Sequence, residues 1–300
     1  MKIYDCFQFF DEEMLLDLRL NIMDKYVDKF VITEATYMHS GIPKKLIFDI
    51  NKFAKFKDKI IYIAVDKPPS DLYKIDENAD INLRDQKRKL NAYKREIFQV
   101  QKTQDELVNA KPDDMIIVSD LDEIPNLEKI DLRTISQKLI FFKQKMFYYK
   151  LNLFHQSLPW YGSKACKKKY LKSPQWLRSI KNKKYPLWRL DILLSQKKYN
   201  NIYYVIDGGW HFTNVREPQD LEKKLLNFLH HIDFEHSGLK INDLEKFIKE
   251  KRIMYNHNVD SKKAEHAKWG KGEKLQKINL EEMPKYIIEN TEKYRPWLDS

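Results

Sequence analysis

The feature that most constrains the fold is the run Met115-Ile116-Ile117-Val118-Ser119-Asp120-Leu121-Asp122-Glu123-Ile124-Pro125. An apolar, β-branched stretch reads as a buried strand, and this one ends in two carboxylates one residue apart, a third carboxylate and a proline. Like charges at the end of a buried strand cost energy unless a cation joins them. Residues i and i+2 of a strand face the same side. With extended backbone through the turn, Asp120 and Asp122 grip one hard divalent ion whose open positions suit phosphate oxygens. Ligands of open α/β sheets sit beyond the carboxyl ends of the strands, so the pattern is that of a nucleotide-sugar site. The competing reading is a pair of loop-capping carboxylates bonded to nearby lysines.

Around this run the first half of the chain alternates. Residues 2–7, 29–34 and 60–65 read as strands. Asp11-Glu12-Glu13 is an acidic helix start, followed by Leu15, Leu18 and Ile22 at helical spacing. Residues 91–110 read as a helix leading to the aspartate strand. A β-α-β order implies a mostly parallel, helix-covered sheet. The second half differs: residues 139–151 read as one long apolar strand, 160–185 as a long loop with a short helix, and 202–206 as a strand running into Asp207-Gly208-Gly209-Trp210-His211-Phe212. Leucines and isoleucines at 221–229 and 241–248 mark two further helices. Residues 260–279 are lysine-rich and read as a linker or flap, and 283–298 as a docking terminal helix.

Hydrophobic residues make up 42% of the 300, enough for a core. Cys6 and Cys166 are the only cysteines, which excludes a disulfide framework and a cysteine-based zinc cluster. No segment reads as a signal peptide or a membrane span, so a cytoplasmic protein is expected. The net charge is +11, with lysine clusters at 167–169, 181–184 and 197–198. Such clusters form solvated faces, or meet an anionic acceptor or the inner face of an anionic membrane. No nucleic-acid-binding motif accompanies them.

Several other residues can carry chemistry. His211, between Trp210 and Phe212, is a candidate third metal ligand, because manganese accepts imidazole with carboxylate; the alternative is a buried histidine bonded to a carbonyl. Gly208-Gly209 lets the backbone approach something closely. Asp207 and Asp191 are candidate bases for an acceptor hydroxyl. Glu34 ends the second strand on the same sheet edge as Asp120 and either contacts a nucleotide or closes a helix. Arg95 and Glu96 precede the metal strand, and Lys164 and Arg178 lie in the long loop, where cations stabilise a departing diphosphate.

Taken together these residues resemble the family seventeen glycosyltransferases, the family of β-1,4-mannosyl-glycoprotein β-1,4-N-acetylglucosaminyltransferase. The resemblance runs from residue 3 to about 255. It is carried by Tyr4-Asp5-Cys6-Phe7, the strand through Phe30 to Glu34, Gly41 and Lys44-Lys45-Leu46, Arg95-Glu96-Ile97-Phe98-Gln99, the aspartate motif, Trp160-Tyr161-Gly162-Ser163-Lys164, Leu177-Arg178 and Gly208-Gly209-Trp210-His211-Phe212. Two departures stand out: Val100 replaces the arginine usual after the glutamine of the helix motif, and the membrane anchor of animal members is missing. The latter fits a bacterial or viral member.

The resemblance implies a GT-A fold over 1–255, with a nucleotide-binding half at 1–125, an acceptor half at 126–255 and a tail at 256–300. It implies a UDP-sugar donor, UDP-N-acetylglucosamine first, a glycan or lipid-linked glycan acceptor, inversion at the anomeric carbon, and Mn2+ or Mg2+ held by Asp122 and His211, with Asp120 at the ribose or at metal-bound water. Two other readings compete: a metal-dependent phosphohydrolase, and a non-catalytic basic protein that binds carbohydrate or polyanion.

Overall fold

The alternation of strands and helices expected of the first half is realised in the computed structural model, which describes residues 1–300 apart from 184, 187, 189, 193, 194, 196, 257–268 and 271. The strands are β1 (Ile3–Gln8), β2 (Lys29–Ala35), β3 (Ile60–Val65), β4 (Met115–Val118), β5 (Glu123–Pro125), β6 (Leu139–Phe142), β7 (Gln144–Tyr148), β8 (Leu153–Trp160), β9 (Lys164–Lys167), β10 (Ile202–Val205), β11 (Gly209–Thr213) and β12 (Gln276–Lys277). The helices are α1 (Glu13–Met23), α2 (Ile81–Glu106), α3 (Pro174–Ser179), α4 (Pro218–Leu225), α5 (His231–Ser237), α6 (Ile241–Lys249), α7 (Lys285–Glu289) and α8 (Thr291–Tyr294). The molecule is α/β, with mixed sheets flanked by helices.

A seven-stranded sheet runs β10-β6-β9-β4-β1-β2-β3. β9 is antiparallel to both its neighbours, and the other strands share one direction. Alternation along β1 explains its two covered faces. Ile3 and Phe7 pack with Leu15, Leu16 and Leu18 of α1, while Tyr4 and Cys6 pack with Val100 of α2 and Leu177 of α3. A strand covered on both sides has to be apolar throughout, yet Asp5 sits at its centre, fully buried. β2 lies on one side of β1 and β4 on the other. Such a point, where strand order reverses, opens a crevice beyond the carboxyl ends.

A second sheet, β12-β8-β7-β11-β5, lies beside the first. The chain crosses between the sheets repeatedly. β4 belongs to the first and β5 to the second, and the same holds for β6 and β7, and for β10 and β11. The apolar stretch 139–151, expected to be one strand, is therefore two strands in different sheets. The break falls at Lys143, whose N–H donates to the Val205 carbonyl (3.0 Å) and whose carbonyl accepts from Gly208 (2.7 Å). The seven-stranded sheet draws strands from both sides of residue 125. Residues 160–185, expected to be mainly loop, supply β9, its antiparallel strand, as well as the short helix α3.

α2 starts ten residues before the expected helix. Asp80 caps it by accepting from the Asn82 and Leu83 amides (2.9 and 3.4 Å), a strong start signal, but Ile81, Leu83 and Leu90 are exposed, so no apolar face marks this turn of helix. Of the expected linker at 260–279, positions 260–268 and 271 lie outside the described residues. The remainder is packed: Trp269 and Leu275 are buried against α4, α5 and α6, and Ile278 joins the main core. The terminal helices dock as expected, with Ile287 and Tyr294 fully buried.

Candidate active site

The turn at 119–122 is where the chain leaves the seven-stranded sheet for the second one, and a single buried side chain holds it. Arg19, on the inner face of α1, is 0% exposed. Its Nε and Nη2 donate to the Asp5 carboxylate (2.8 and 2.6 Å). Nη1 donates to the carbonyls of Asp120, Leu121 and Glu123 (2.9, 3.1 and 2.8 Å), and Nη2 to Ser119 Oγ (2.6 Å). Every N–H of the guanidinium has an acceptor, which is the condition for burying such a group at all. On the other side the Phe212 amide of β11 donates to the Asp122 carbonyl (2.8 Å). The backbone of the motif is thus fixed by α1, β1 and β11. Sequence reasoning missed Arg19. The available signal was an aspartate inside one apolar pattern and an arginine inside the next.

The side chains of the turn then diverge within one cavity of about 610 Å³. Asp120 Oδ2 accepts from Arg178 Nη2 (2.8 Å), while Arg178 Nη1 reaches Glu96 Oε1 (2.8 Å). Asp122 Oδ1 lies 3.6 Å from His211 Nε2, and its Oδ2 lies 3.9 Å from Lys224 Nζ. Glu123 is structural: Oε1 accepts from Trp160 Nε1 (2.6 Å) and Oε2 from the Asp120 amide (2.9 Å). A Cβ at residue 162 would come within 1.9 Å of Glu123 Oε1, which is why glycine follows Trp160-Tyr161. The expected close approach at Gly209 is also present. Its φ is +129°, and a Cβ there would meet the Ile124 carbonyl of β5 at 2.1 Å.

These surroundings split the two aspartates electrostatically. Removal from water pushes Asp120 up to about 7, with Glu123, Asp122 and Glu96 adding to the rise and Arg178 opposing it. Burial also opposes ionisation of Asp122, but the His211 imidazole, then Lys224 and Arg216, hold it down at about 2. Burial lowers the basicity of His211, and Asp122 more than restores it, so the net displacement is upward.

Among the described residues no three His, Cys, Asp or Glu side chains converge closely enough to ligate a metal as they stand. The donor set nevertheless fits a dication. Two ligands at adjacent corners of an octahedral ion lie roughly 3 Å apart, close to the separation of Asp122 and His211. Asp120 uses only one carboxylate oxygen in hydrogen bonding, and His211 Nδ1 is buried without a hydrogen-bond partner. Manganese accepts carboxylate and imidazole together, whereas magnesium would rest on the carboxylates and water.

The family model described as glycosyltransferase family 17 matches residues 1–178. The chain belongs to glycosyltransferase family 17. The matched segment holds Arg19, Glu96, Asp120, Asp122 and Trp160 and ends on Arg178; His211 and Lys224 lie beyond it. A search of curated proteins finds no match. Six solved chains match, among them the crystal structure of HddC from Yersinia pseudotuberculosis, with 11% identity, coverage of 69% of this chain and 92% of that one, and a TM-score of 0.34.

Of the site residues expected from the sequence, this family 17 glycosyltransferase gathers Asp120, Asp122, Arg178 and His211 on the cavity wall. Glu96, the neighbour of Arg95, is there too, bonded to Arg178, but Glu34, Arg95, Lys164, Asp207 and Asp191 are not. Glu34 is buried and closes the loop after β2, accepting from the amides of Ile47 and Phe48 (2.9 and 3.1 Å), Tyr62 Oη (2.9 Å) and Lys44. Arg95 donates to the His39 carbonyl (2.9 Å) from behind the loop that carries Gly41. Lys164 stands at the start of β9, its ammonium donating to the carbonyls of Arg178 (2.5 Å) and Ile180 (2.7 Å). Burial pushes it down to about 8. Lys164 therefore fixes the end of α3, and through it Arg178, rather than facing a diphosphate. Asp207 is exposed in the β10–β11 turn with φ +51°, and exposed Asp191 pairs with Lys198 (2.7 Å). Neither lines the cavity, so their positions do not serve the proton-accepting role expected of them.

The lysine cluster at 167–169 is also displaced from the chemistry. Lys167 is in register with Met115, at the opposite end of β4 from Asp120, and Lys169 pairs with Asp113 (2.7 Å). Lys184 of the second cluster lies outside the described residues.

Proposed function

We propose that this protein is an inverting, GT-A-type transferase that moves N-acetylglucosamine from UDP-N-acetylglucosamine to a glycan acceptor with Mn2+ or Mg2+ bound. The observation that carries the reading is the gathering of Asp120, Asp122, Arg178 and His211 in one cavity at the switch point of the seven-stranded sheet. Asp122 and His211, joined by Asp120, would hold a dication, which would supply Lewis acidity to the departing diphosphate. Arg178, fixed by Glu96 and by the Lys164-capped end of α3, adds a preorganised positive charge beside the same oxygens. The acceptor hydroxyl attacks the anomeric carbon from the face opposite UDP. The C–O bond to UDP breaks, and the hydroxyl proton passes to a cavity carboxylate.

The competing enzyme reading, a phosphohydrolase, calls for a nucleophilic aspartate, whereas Asp120 is tied to Arg178. The polyanion-binding reading loses support because the 167–169 lysines sit at the far edge of the sheet. That position leaves the cavity open should this edge rest on an anionic membrane, and a cytoplasmic setting beside the inner face of the membrane is part of the proposal. Among the described residues no helix is long and apolar enough to cross a bilayer. The test is release of UDP from UDP-N-acetylglucosamine. It should require Mn2+ or Mg2+ and accelerate with a glycan acceptor; full turnover in the presence of a chelator would remove the mechanism.

A further inference from the structure

The cavity has a second end that no sequence motif announces. Its wall is made by Tyr148, Trp160, Phe228, Tyr255 and Trp269. β7 carries this wall outward from the charged end. Met146 is in register with His211, and Tyr148 follows two residues later on the same face. Trp160 is the joint between the two ends: its ring stacks on His211 with centroids 4.8 Å apart while its Nε1 donates to Glu123. Trp269 is 8% exposed and is held between Phe234 (5.7 Å) and Tyr255 (5.2 Å). Its Nε1–H has no hydrogen-bond partner among the described residues. Leaving such a donor buried and unsatisfied costs about 1–3 kcal/mol, and here it belongs to the wall of a cavity that a ligand can enter.

Among the described residues of the cavity wall, the cations an anionic acceptor would need are already engaged. Arg178 is engaged with Asp120 and Glu96, Lys224 lies beside Asp122, and Lys44 is bonded to Glu34. Burial lowers the basicity of His39, and His230 faces Asp233 at 3.3 Å. We propose that the aromatic end is the acceptor subsite and that it takes an uncharged sugar ring. The apolar C–H face of the ring lies on the aromatic wall, and one of its hydroxyls accepts from Trp269 Nε1. Ligand pockets combine apolar walls with a few placed polar groups in this way, and aromatic faces carry negative potential that attracts C–H edges. The inference rests on the glycosyltransferase reading of the same cavity.

The experiment titrates the full chain, in the presence of UDP and Mn2+, with a neutral disaccharide (N,N′-diacetylchitobiose) and an anionic one (digalacturonate), following tryptophan fluorescence and heat. The neutral sugar should bind and digalacturonate should not. Trp269→Phe keeps the ring and deletes only the donor, and should weaken the neutral sugar about tenfold. Tyr255→Ala, which removes a wall ring by a different route, should weaken it as well. Preference for digalacturonate, no binding of the neutral sugar, or neutral-sugar affinities within twofold of the parent in both variants would overturn the inference. UDP with Mn2+ binding normally in those cases would leave the donor reading standing; failure of UDP to bind the parent would remove both.

Discussion

At one end of the cavity Asp120, Asp122, Arg178, Glu96 and His211 lie within a few ångströms of one another, each paired with an opposite charge. At the other end Tyr148, Phe228, Tyr255 and Trp269 present rings and one unanswered indole N–H. The first end gathers the turn after β4 with side chains from α2, α3 and β11, and the second draws on β7 and the segments that follow α4. Charge is concentrated at the first end, and the remaining wall offers shape and apolar surface. A transferase has to hold a donor and position an acceptor, and in the proposed reading the charged end takes the first task and the aromatic end the second.

Removing the charge at Asp122 should produce the largest effect. Asp122→Asn should lower turnover by about three orders of magnitude or more, on the scale of losing a metal-held transition-state contact, with the far-ultraviolet circular dichroism unchanged; turnover within tenfold of the parent would erase the functional distinction between the ends. Next comes the support beneath the charged end. Arg19→Met leaves Asp5 buried without its partner and should cost about 3–5 kcal/mol in urea unfolding. Adding Asp5→Leu should recover most of that stability, because the buried charge is gone. Mn2+ affinity should stay low in the double variant, since nothing then holds the carbonyls of the turn. Recovery of stability and metal affinity together would reduce Arg19 to a packing residue.

The charged end is legible in the sequence because it is local: an apolar strand, a turn and two carboxylates occupy adjacent positions, and β-α-β alternation places that strand in a parallel sheet. The place of Arg178 and His211 on the cavity wall was also within reach, because both fall in motifs of recognisable order. The limits arise wherever a residue's role depends on a distant partner. Glu34 and Lys164 look like site residues but satisfy backbone groups, because a buried carboxylate or ammonium binds whichever donors or acceptors the chain brings to it. Asp207 and Asp191 carry suitable chemistry in unsuitable places. The aromatic end draws on positions 148, 160, 228, 255 and 269, with no period linking them, so only the folded chain shows that they meet.

The two aspartates should also separate by pH. Asp120, pushed up to about 7, binds a proton across the mildly acidic range, whereas Asp122, held at about 2, does not. A dication needs both ionised. Apparent Mn2+ affinity should therefore fall as pH drops below about 7, by up to roughly tenfold per unit for each competing proton, the one on Asp120 and the one on the upward-displaced His211, and level off at higher pH. Without metal, the sign for stability is the reverse. A carboxyl whose pKa is raised by folding binds more protons in the native state, so its contribution declines as pH rises from about 4 to 7. Electron paramagnetic resonance of free Mn2+ across pH 5.5–8 reads the first effect; a flat profile would detach Asp120 from the ion.

The smallest expected effect lies farthest from the cavity. Lys167→Ala with Lys169→Ala should change stability by less than about 0.5 kcal/mol and leave acceptor use unaltered, as measured by initial rates on the neutral disaccharide. A changed acceptor preference would connect the basic edge to the aromatic end after all.

The central claim, that the paired carboxylates hold a dication which captures a sugar nucleotide's diphosphate, is tested most directly by thermal unfolding with UDP and Mn2+, alone and together. At about a hundred times the dissociation constant, a ligand specific to the native state adds roughly 2.7 kcal/mol, or several degrees in a chain of this size. The account predicts that rise for UDP with Mn2+ together and little for UDP alone, with the rise lost in Asp122→Asn. An equal rise with UDP in the presence of a chelator, or no rise under any combination, would contradict it.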